Sequence, residues 1–114
     1  MKVRDVVKIL KADILVEGDL DLEVRTACGS DMMSDVLAFV KDQAVLLTGL
    51  VNPQVIRTAE MMDIVCIVFV RGKMPDPSMI GLAEERGIAL LSCGQRMFTA
   101  CGLLYENGLR GGCE

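Results

Sequence analysis

The chain has 114 residues, a hydrophobic fraction of 52% and a formal net charge of −4. This length predicts a single domain, and the apolar content suffices for a core, so an intrinsically disordered chain is excluded. The acidic balance, with no cluster of Lys and Arg, argues against nucleic acid as a partner.

The first third of the chain alternates short apolar segments with turns. Apolar residues at helical spacing predict a helix over about residues 3–10, and residues 13–16 are predicted to form the first strand. Apolar and polar residues alternate over 20–26, which predicts a half-exposed edge strand. The segment 27–31 is predicted to turn into a helix whose buried stripe comprises Met32, Met33, Val36, Leu37 and Val40.

The remainder alternates strand and helix. Strands are predicted over 44–48, 64–70 and 88–92, and a last helix over 95–107. Asn52-Pro53 and Asp76-Pro77 each place a capping side chain before a proline, so both predict helix starts. This rhythm predicts one α/β domain over residues 3–109, with a three-layer arrangement in which helices flank a mostly parallel sheet of about five strands. Residues 110–114 are predicted to form a flexible tail.

The turns that follow the predicted strands hold the candidate ligand-binding residues. In open α/β sheets the carboxyl ends of the strands share one edge, where ligands bind, and helix N-termini at that edge favour an anion. Glycines and capping side chains at these turns are equally explained by backbone geometry, so the shared edge is the stronger observation. The candidates are Gly29, Ser30, Asp31, Thr48, Gly49, Arg71, Gly72, Lys73, Ser92 and Cys93.

Catalysis is not predicted. The chain contains no histidine, no GxxxxGK[ST] phosphate loop and no GxGxxG fingerprint. An enzyme that uses Cys93 or Ser92 as nucleophile, with Lys73, Asp31 or Asp35 as base, is the minor alternative. The cysteine spacing matches no zinc or cluster motif, so no metal site is predicted and no cofactor is expected, with a nucleotide left open as a ligand.

The chain is expected to reside in the cytoplasm. Its longest apolar run, 64–70, is far shorter than the roughly 20 residues of a membrane-spanning helix, so no membrane association is expected. The charged N-terminus lacks the apolar segment of a signal peptide. The chain has an odd number of cysteines, five, and no two of them form a CxxC pair. This pattern fits a protein of a reducing compartment better than one held together by a disulfide framework.

The last predicted helix is apolar around much of its circumference, which predicts either deep burial or contact with another chain. A homodimer is expected, because exposed apolar patches mark interfaces. The candidate interface residues are Met97, Phe98, Ala100, Leu103 and Leu104.

Several short motifs, in the same order, resemble the DRTGG domain family over about residues 3–109. They are IVFVRGKMPDP at 67–77, LAEERGIALLS at 82–92, GSDMMSDVL at 29–37 and CGLLYENG at 101–108. The namesake Asp-Arg would fall near Asn52-Pro53 and the Thr-Gly-Gly at Val70-Arg71-Gly72, so only the second glycine is present here.

The resemblance implies a domain related to the N-terminal domain of HPr kinase/phosphorylase. Such domains also occur in some phosphotransacetylases and in CBS-containing inorganic pyrophosphatases, where catalysis belongs to another domain. The resemblance thus implies a non-catalytic regulatory or oligomer-forming module. Together with the clustered strand-end turns, it predicts a regulatory or ligand-sensing module that binds a small anion or nucleotide at the carboxyl edge of the sheet. Stand-alone members resemble proteins encoded beside iron-hydrogenase genes, so the alternative is an interaction subunit with a redox-enzyme partner protein.

Overall fold

The computed structural model describes residues 1–40 and 42–112, and this part of the chain forms five strands and five helices. In chain order they are α1 (Val3–Leu10), β1 (Asp13–Val16), β2 (Thr26–Gly29), α2 (Met33–Phe39), β3 (Ala44–Thr48), α3 (Pro53–Met61), β4 (Ile64–Phe69), α4 (Pro77–Arg86), β5 (Ala89–Ser92) and α5 (Met97–Glu106). None of these helices is long and apolar enough to cross a membrane.

The strands form one sheet in the order β1-β5-β4-β3-β2. Strands β2 to β5 are parallel, and β1 pairs antiparallel with β5 at one edge. Helices α1 and α5 cover one face, while α2, α3 and α4 cover the other. The predicted three-layer α/β fold with a mostly parallel sheet of five strands is therefore confirmed.

The central strands are apolar throughout because both of their faces are covered. In β3, Val45 and Leu47 point toward α1 and α5, whereas Leu46 points toward α2, α3 and α4. The same alternation in β4 places Val68 on the first face and Phe69 on the second. The core is thus divided into two apolar layers by the sheet.

The two predicted proline-led helix starts are confirmed. The Asn52 side chain accepts a hydrogen bond from the backbone N–H of Gln54 at 2.8 Å, and Asp76 Oδ1 accepts one from the N–H of Met79 at 2.9 Å. Each cap satisfies a backbone donor that a helix start would otherwise leave without a partner.

The predicted edge strand over 20–26 is wrong. The carbonyls of Leu20 and Leu22 accept hydrogen bonds from the N–H groups of Arg4 and Val3, at 2.9 and 3.0 Å. The segment therefore satisfies the first turn of α1 instead of pairing with a strand. The edge strand lies later, at 26–29, where a turn was predicted.

The predicted buried stripe of the second helix is only partly correct. Val36 is fully buried, but Met32 is 61% exposed and Leu37 is 42% exposed. Helix α2 has only seven residues and packs on the sheet beside the edge strand β2, so only a short part of the helix contacts the core.

At the other end of the chain, Arg110 belongs to the predicted flexible tail, yet its carbonyl accepts a hydrogen bond from the Ala27 N–H at 2.9 Å. The last two residues, 113–114, lie outside the described part.

Candidate functional site

Asp31 connects the turns after β2 and β3. Its Oδ1 accepts hydrogen bonds from the Thr48 hydroxyl at 3.0 Å and from the Gly49 backbone N–H at 2.7 Å. The Thr48 hydroxyl oxygen in turn accepts the N–H of Leu50 at 3.1 Å. Candidate residues from two turns, 17 and 18 positions apart in sequence, therefore meet at the carboxyl edge, and a carboxylate already occupies the backbone donor of the β3 turn.

Arg71 is the central cation of this edge. Its backbone N–H donates to the Gln95 carbonyl at 2.8 Å, and its φ of 59° lies in the left-handed region, as does that of Gly72 at 68°. A non-glycine residue in that region is held there at a cost of about 1–2 kcal/mol. The turn after β4 is thus fixed against the turn after β5.

The Arg71 guanidinium lies across Gly49. A Cβ at Gly49 would collide with Nη2 of Arg71 and would lie 3.3 Å from Cζ and 3.4 Å from Nε. The glycine therefore makes room for the arginine at the end of β3. Among the residues that the structure describes, no carboxylate forms an ion pair with Arg71. The Arg71 guanidinium is exposed and lacks a described acidic partner, so it can bind an anion.

The last two candidates on β5 and its turn have structural contacts. The Ser92 hydroxyl donates to the Lys73 carbonyl at 3.0 Å, and the Cys93 carbonyl accepts the N–H of Gly72 at 2.8 Å. Both side chains are buried, and burial raises the pKa of the Cys93 thiol. Ser92 and Cys93 therefore lie beneath the surface of this edge and support its turns. The Lys73 side chain is exposed to solvent at the same edge.

The two candidates that follow β2 also have local roles. Ser30 Oγ accepts the N–H of Met32 at 3.0 Å and so organises the turn before α2. Gly29 faces α5, where a Cβ would lie 2.7 Å from Cys101 Sγ and 3.2 Å from Met97 Sδ. The absence of a side chain at residue 29 lets α5 approach the edge strand.

The helix N-termini at this edge differ in their availability. The caps of α3 and α4 already occupy first-turn N–H groups. At α4, hydrogen bonds from the Ser78 hydroxyl and the Met79 N–H lower the pKa of Asp76, so the cap is ionised at neutral pH. An anion is therefore disfavoured at α4, whereas α5 begins at the exposed Arg96 and has no side-chain cap.

The candidate interface residues divide into two groups. Ala100 and Leu104 fill the domain's own core, at 0% and 1% exposure, so these two cannot face another chain, contrary to the prediction. Met97 and Leu103 are partly buried against the same core. Phe98 is 90% exposed and is the one member of the set that faces outward. The apolar circumference of α5 therefore includes residues of the domain's own core, and Phe98 lies on its exposed side.

Within the described residues there is no group of three side chains that could hold a metal ion. Cys28, Cys66, Cys93 and Cys101 are free thiols, whereas Cys113 lies outside the described residues. No potential base contacts Ser92 Oγ or Cys93 Sγ in that part of the chain, where their recorded partners are the backbone carbonyls of Lys73 and Gln95.

Sequence reasoning missed Gln95, whose carbonyl fixes Arg71. No local signal identifies this contact, because it depends on β4 and β5 being neighbours in the sheet.

The DRTGG domain model matches residues 5–106, which is most of the chain. The chain belongs to the DRTGG domain family. This DRTGG domain is similar in fold to the crystal structure of the CBS and DRTGG domains of the regulatory region of Clostridium perfringens pyrophosphatase, which was solved in complex with its activator, diadenosine tetraphosphate. The TM-score is 0.76 at 14% sequence identity, and the match covers 90% of this chain and 45% of that one. This DRTGG domain therefore spans about half the length of that structure. A comparison with curated proteins found no match.

Proposed function

We propose that this DRTGG domain is a non-catalytic regulatory module that binds a small anion, preferably a nucleotide, at the carboxyl edge of its sheet. The observation that carries the proposal is the Arg71 guanidinium, which lies across Gly49 beside the end of β3 without a described acidic partner. The Lys73 side chain, two residues later, adds a second exposed cation.

A nucleotide is the favoured class for two reasons. Several phosphate oxygens can use both cations at once, and an apolar side chain next to Lys73 can contact a base or sugar. Met74, the residue after Lys73, is 56% exposed. The pyrophosphatase regulatory region of the same fold was solved with a nucleotide activator, which lends support by analogy.

The absence of catalysis is part of the proposal. An activated nucleophile needs a base within hydrogen-bond reach, and the recorded contacts of Ser92 and Cys93 are to backbone carbonyls. The raised pKa of the Cys93 thiol keeps it protonated at neutral pH, which further opposes nucleophilic use.

Calorimetric titration of the full chain with diadenosine tetraphosphate, ATP and pyrophosphate tests the proposal. A hydrogen bond to a charged group is worth about 1.5–3 kcal/mol, so Arg71→Gln should weaken binding by at least about tenfold. The matched control is Arg25→Gln, which removes the same charge from an exposed residue before the amino end of β2 and should leave affinity unchanged. The proposal fails if none of the three ligands binds at millimolar concentration, or if the two variants behave alike.

A homodimer is the second proposal, and it rests on Phe98, the one candidate interface residue on α5 whose aromatic ring is exposed to solvent, at 90%. Light scattering across a concentration series should give a dimer mass for the parent chain and a monomer mass for Phe98→Ser. Phe39→Ser, at an exposed phenylalanine at the end of α2, should remain dimeric. A monomeric parent chain at all concentrations would remove this proposal, and it would leave open a redox partner protein that contacts the same side chain.

A further inference from the structure

A cavity of about 180 Å³ lies between the edge strand β2 and α5, and Arg71 is not among the residues that line it. Its apolar wall includes Ala27, Leu47, Leu104 and Leu109. An engineered cavity of about 150 Å³ in another protein takes up benzene. The present cavity therefore has room for about one small ring or a short branched chain.

Arg110 stands at this cavity with part of its guanidinium committed. Its Nη1 donates to the Tyr105 carbonyl at 2.7 Å and to the Leu109 carbonyl at 3.0 Å, and its Cζ lies 3.7 Å from the centre of the Tyr105 ring. These contacts fix the orientation of the guanidinium. They leave Nε and Nη2, on the other side of the guanidinium, available for a ligand. The parallel N–H groups of these two atoms match a carboxylate in bidentate geometry. Among the ion pairs recorded for the described residues, none involves Arg110.

The outer edge of β2 adds a further donor. The Ala27 N–H points outward to the Arg110 carbonyl, and the Ser30 N–H points inward to the Leu47 carbonyl, at 2.9 and 3.0 Å. Because N–H groups alternate along a strand, the N–H of Gly29 points outward, beyond the place where Arg110 pairs with β2. Gly29 also lines the cavity.

The charge of the wall favours an anion. The residues that line the cavity include one arginine and no acidic side chain, although acidic residues outnumber basic ones by 16 to 12 in the whole chain. Cys101 also lines it, and burial raises the pKa of its thiol, so this group is neutral at physiological pH. A carboxylate would meet no negative charge from the lining residues.

We propose that this cavity is a second ligand site, which takes a small monocarboxylate with a compact apolar body. The carboxylate binds the free edge of Arg110 and the Gly29 N–H, and the apolar body lies against Ala27, Leu47 and Leu104. The site shares only Gly29 with the strand-end candidates, so it does not depend on Arg71 or on the proposed nucleotide binding.

Amide-detected NMR titration of the full chain with benzoate, 3-methylbutanoate and the neutral analogue benzamide tests this. Both carboxylates should give saturable shifts around residues 27–29, 101–105 and 110, and benzamide should bind at least about tenfold more weakly, since it loses the charged hydrogen bonds. Equal binding of benzoate and benzamide, or no saturable shift, overturns the proposal.

Two variants separate the contributions of charge and shape. Arg110→Gln should weaken benzoate binding by at least about tenfold, again because a charged hydrogen bond is lost. Ala27→Leu should weaken it by filling the cavity while leaving Arg110 in place, so it decides the matter if Arg110→Gln disturbs the segment after α5. Arg71→Gln should bind benzoate like the parent chain. Loss of benzoate binding in Arg71→Gln, or its retention in both cavity variants, contradicts the proposal.

Discussion

Replacement of Gly49 by alanine tests the Arg71 edge without removing any charge. The added methyl would lie 3.3 Å from Cζ of Arg71 and closer still to Nη2, so the guanidinium must move away from the end of β3. The obstructing group is the end of a flexible side chain, and Gly49 does not have a positive φ, so the backbone can accept alanine. The variant therefore displaces the guanidinium and leaves the fold intact.

For Gly49→Ala we expect little change in the free energy of unfolding but weaker binding of the anion. Alanine at a compatible glycine position stabilises a protein by about 0.4–1 kcal/mol through the unfolded chain, and the shift of Arg71 offsets part of this gain. Urea denaturation should therefore show a change within about 1 kcal/mol. Calorimetric affinity for diadenosine tetraphosphate should fall by about tenfold, which corresponds to about 1.4 kcal/mol and to the loss of one charged hydrogen bond.

Gly81→Ala is the matched control, because a Cβ at Gly81 in α4 would meet nothing within 4 Å. This variant should gain helix stability and keep the parent affinity. Unchanged affinity in Gly49→Ala would refute the reasoning that the guanidinium acts from its position across Gly49. A large loss of stability would instead show that the backbone at Gly49 cannot accept a side chain.

Three further predictions concern single polar groups. Asp31→Ala frees the Gly49 N–H and the Thr48 hydroxyl, so it should lower the free energy of unfolding in urea by about 1–3 kcal/mol. It should also raise the affinity for anions in calorimetry. Weaker anion binding would contradict the view that the Asp31 carboxylate occupies the place of a bound anion. Thr58 is buried and its hydroxyl has no partner among the described residues, so Thr58→Val should stabilise the fold by about 1 kcal/mol in the same assay, and a loss would mean that the hydroxyl is satisfied. The lowered folded-state pKa of Asp76 makes the carboxylate stabilising above its ordinary value of 3.8, so the advantage of the parent chain over Asp76→Asn should be present at neutral pH and should disappear as the pH falls through the lowered pKa; an advantage that persists in strong acid would contradict this.

The elements with local signals were predictable. Helices α3 and α4 begin at a capping side chain followed by proline, and strand β4 is an uninterrupted apolar run, so neighbouring residues alone determine these assignments. The edge strand was misplaced for the complementary reason. The alternation of apolar and polar residues over 20–26 is compatible with a strand. It is equally compatible with a segment whose carbonyls accept hydrogen bonds from the N–H groups of the first turn of α1. Only the tertiary position of α1 distinguishes the two, and no local pattern encodes that position.

The candidate site was predictable as an edge but not as a set of contacts. The carboxyl ends of parallel strands meet wherever the sheet is parallel, so Asp31, Thr48 and Arg71 could be assigned to one region. Which of them touch depends on the strand order, with β3 between β2 and β4. That order places Gly49 within reach of Asp31 from one side and of Arg71 from the other.

The surroundings of the arginines explain why both proposed sites favour anions in an acidic protein. Arg4 and Arg86 pair with Asp21 and Glu60 at 3.1 Å, and such exposed pairs neutralise one charge with another. Arg71 lies across a glycine without a described acidic partner, and Arg110 is oriented by two carbonyls and a tyrosine ring. Neutral groups orient a guanidinium without cancelling its charge, so its remaining N–H groups keep their full attraction for a carboxylate or phosphate. Acidic residues outnumber basic ones by 16 to 12, so potential partners are not scarce, and an arginine without an acidic partner in its surroundings is suited to bind an external anion.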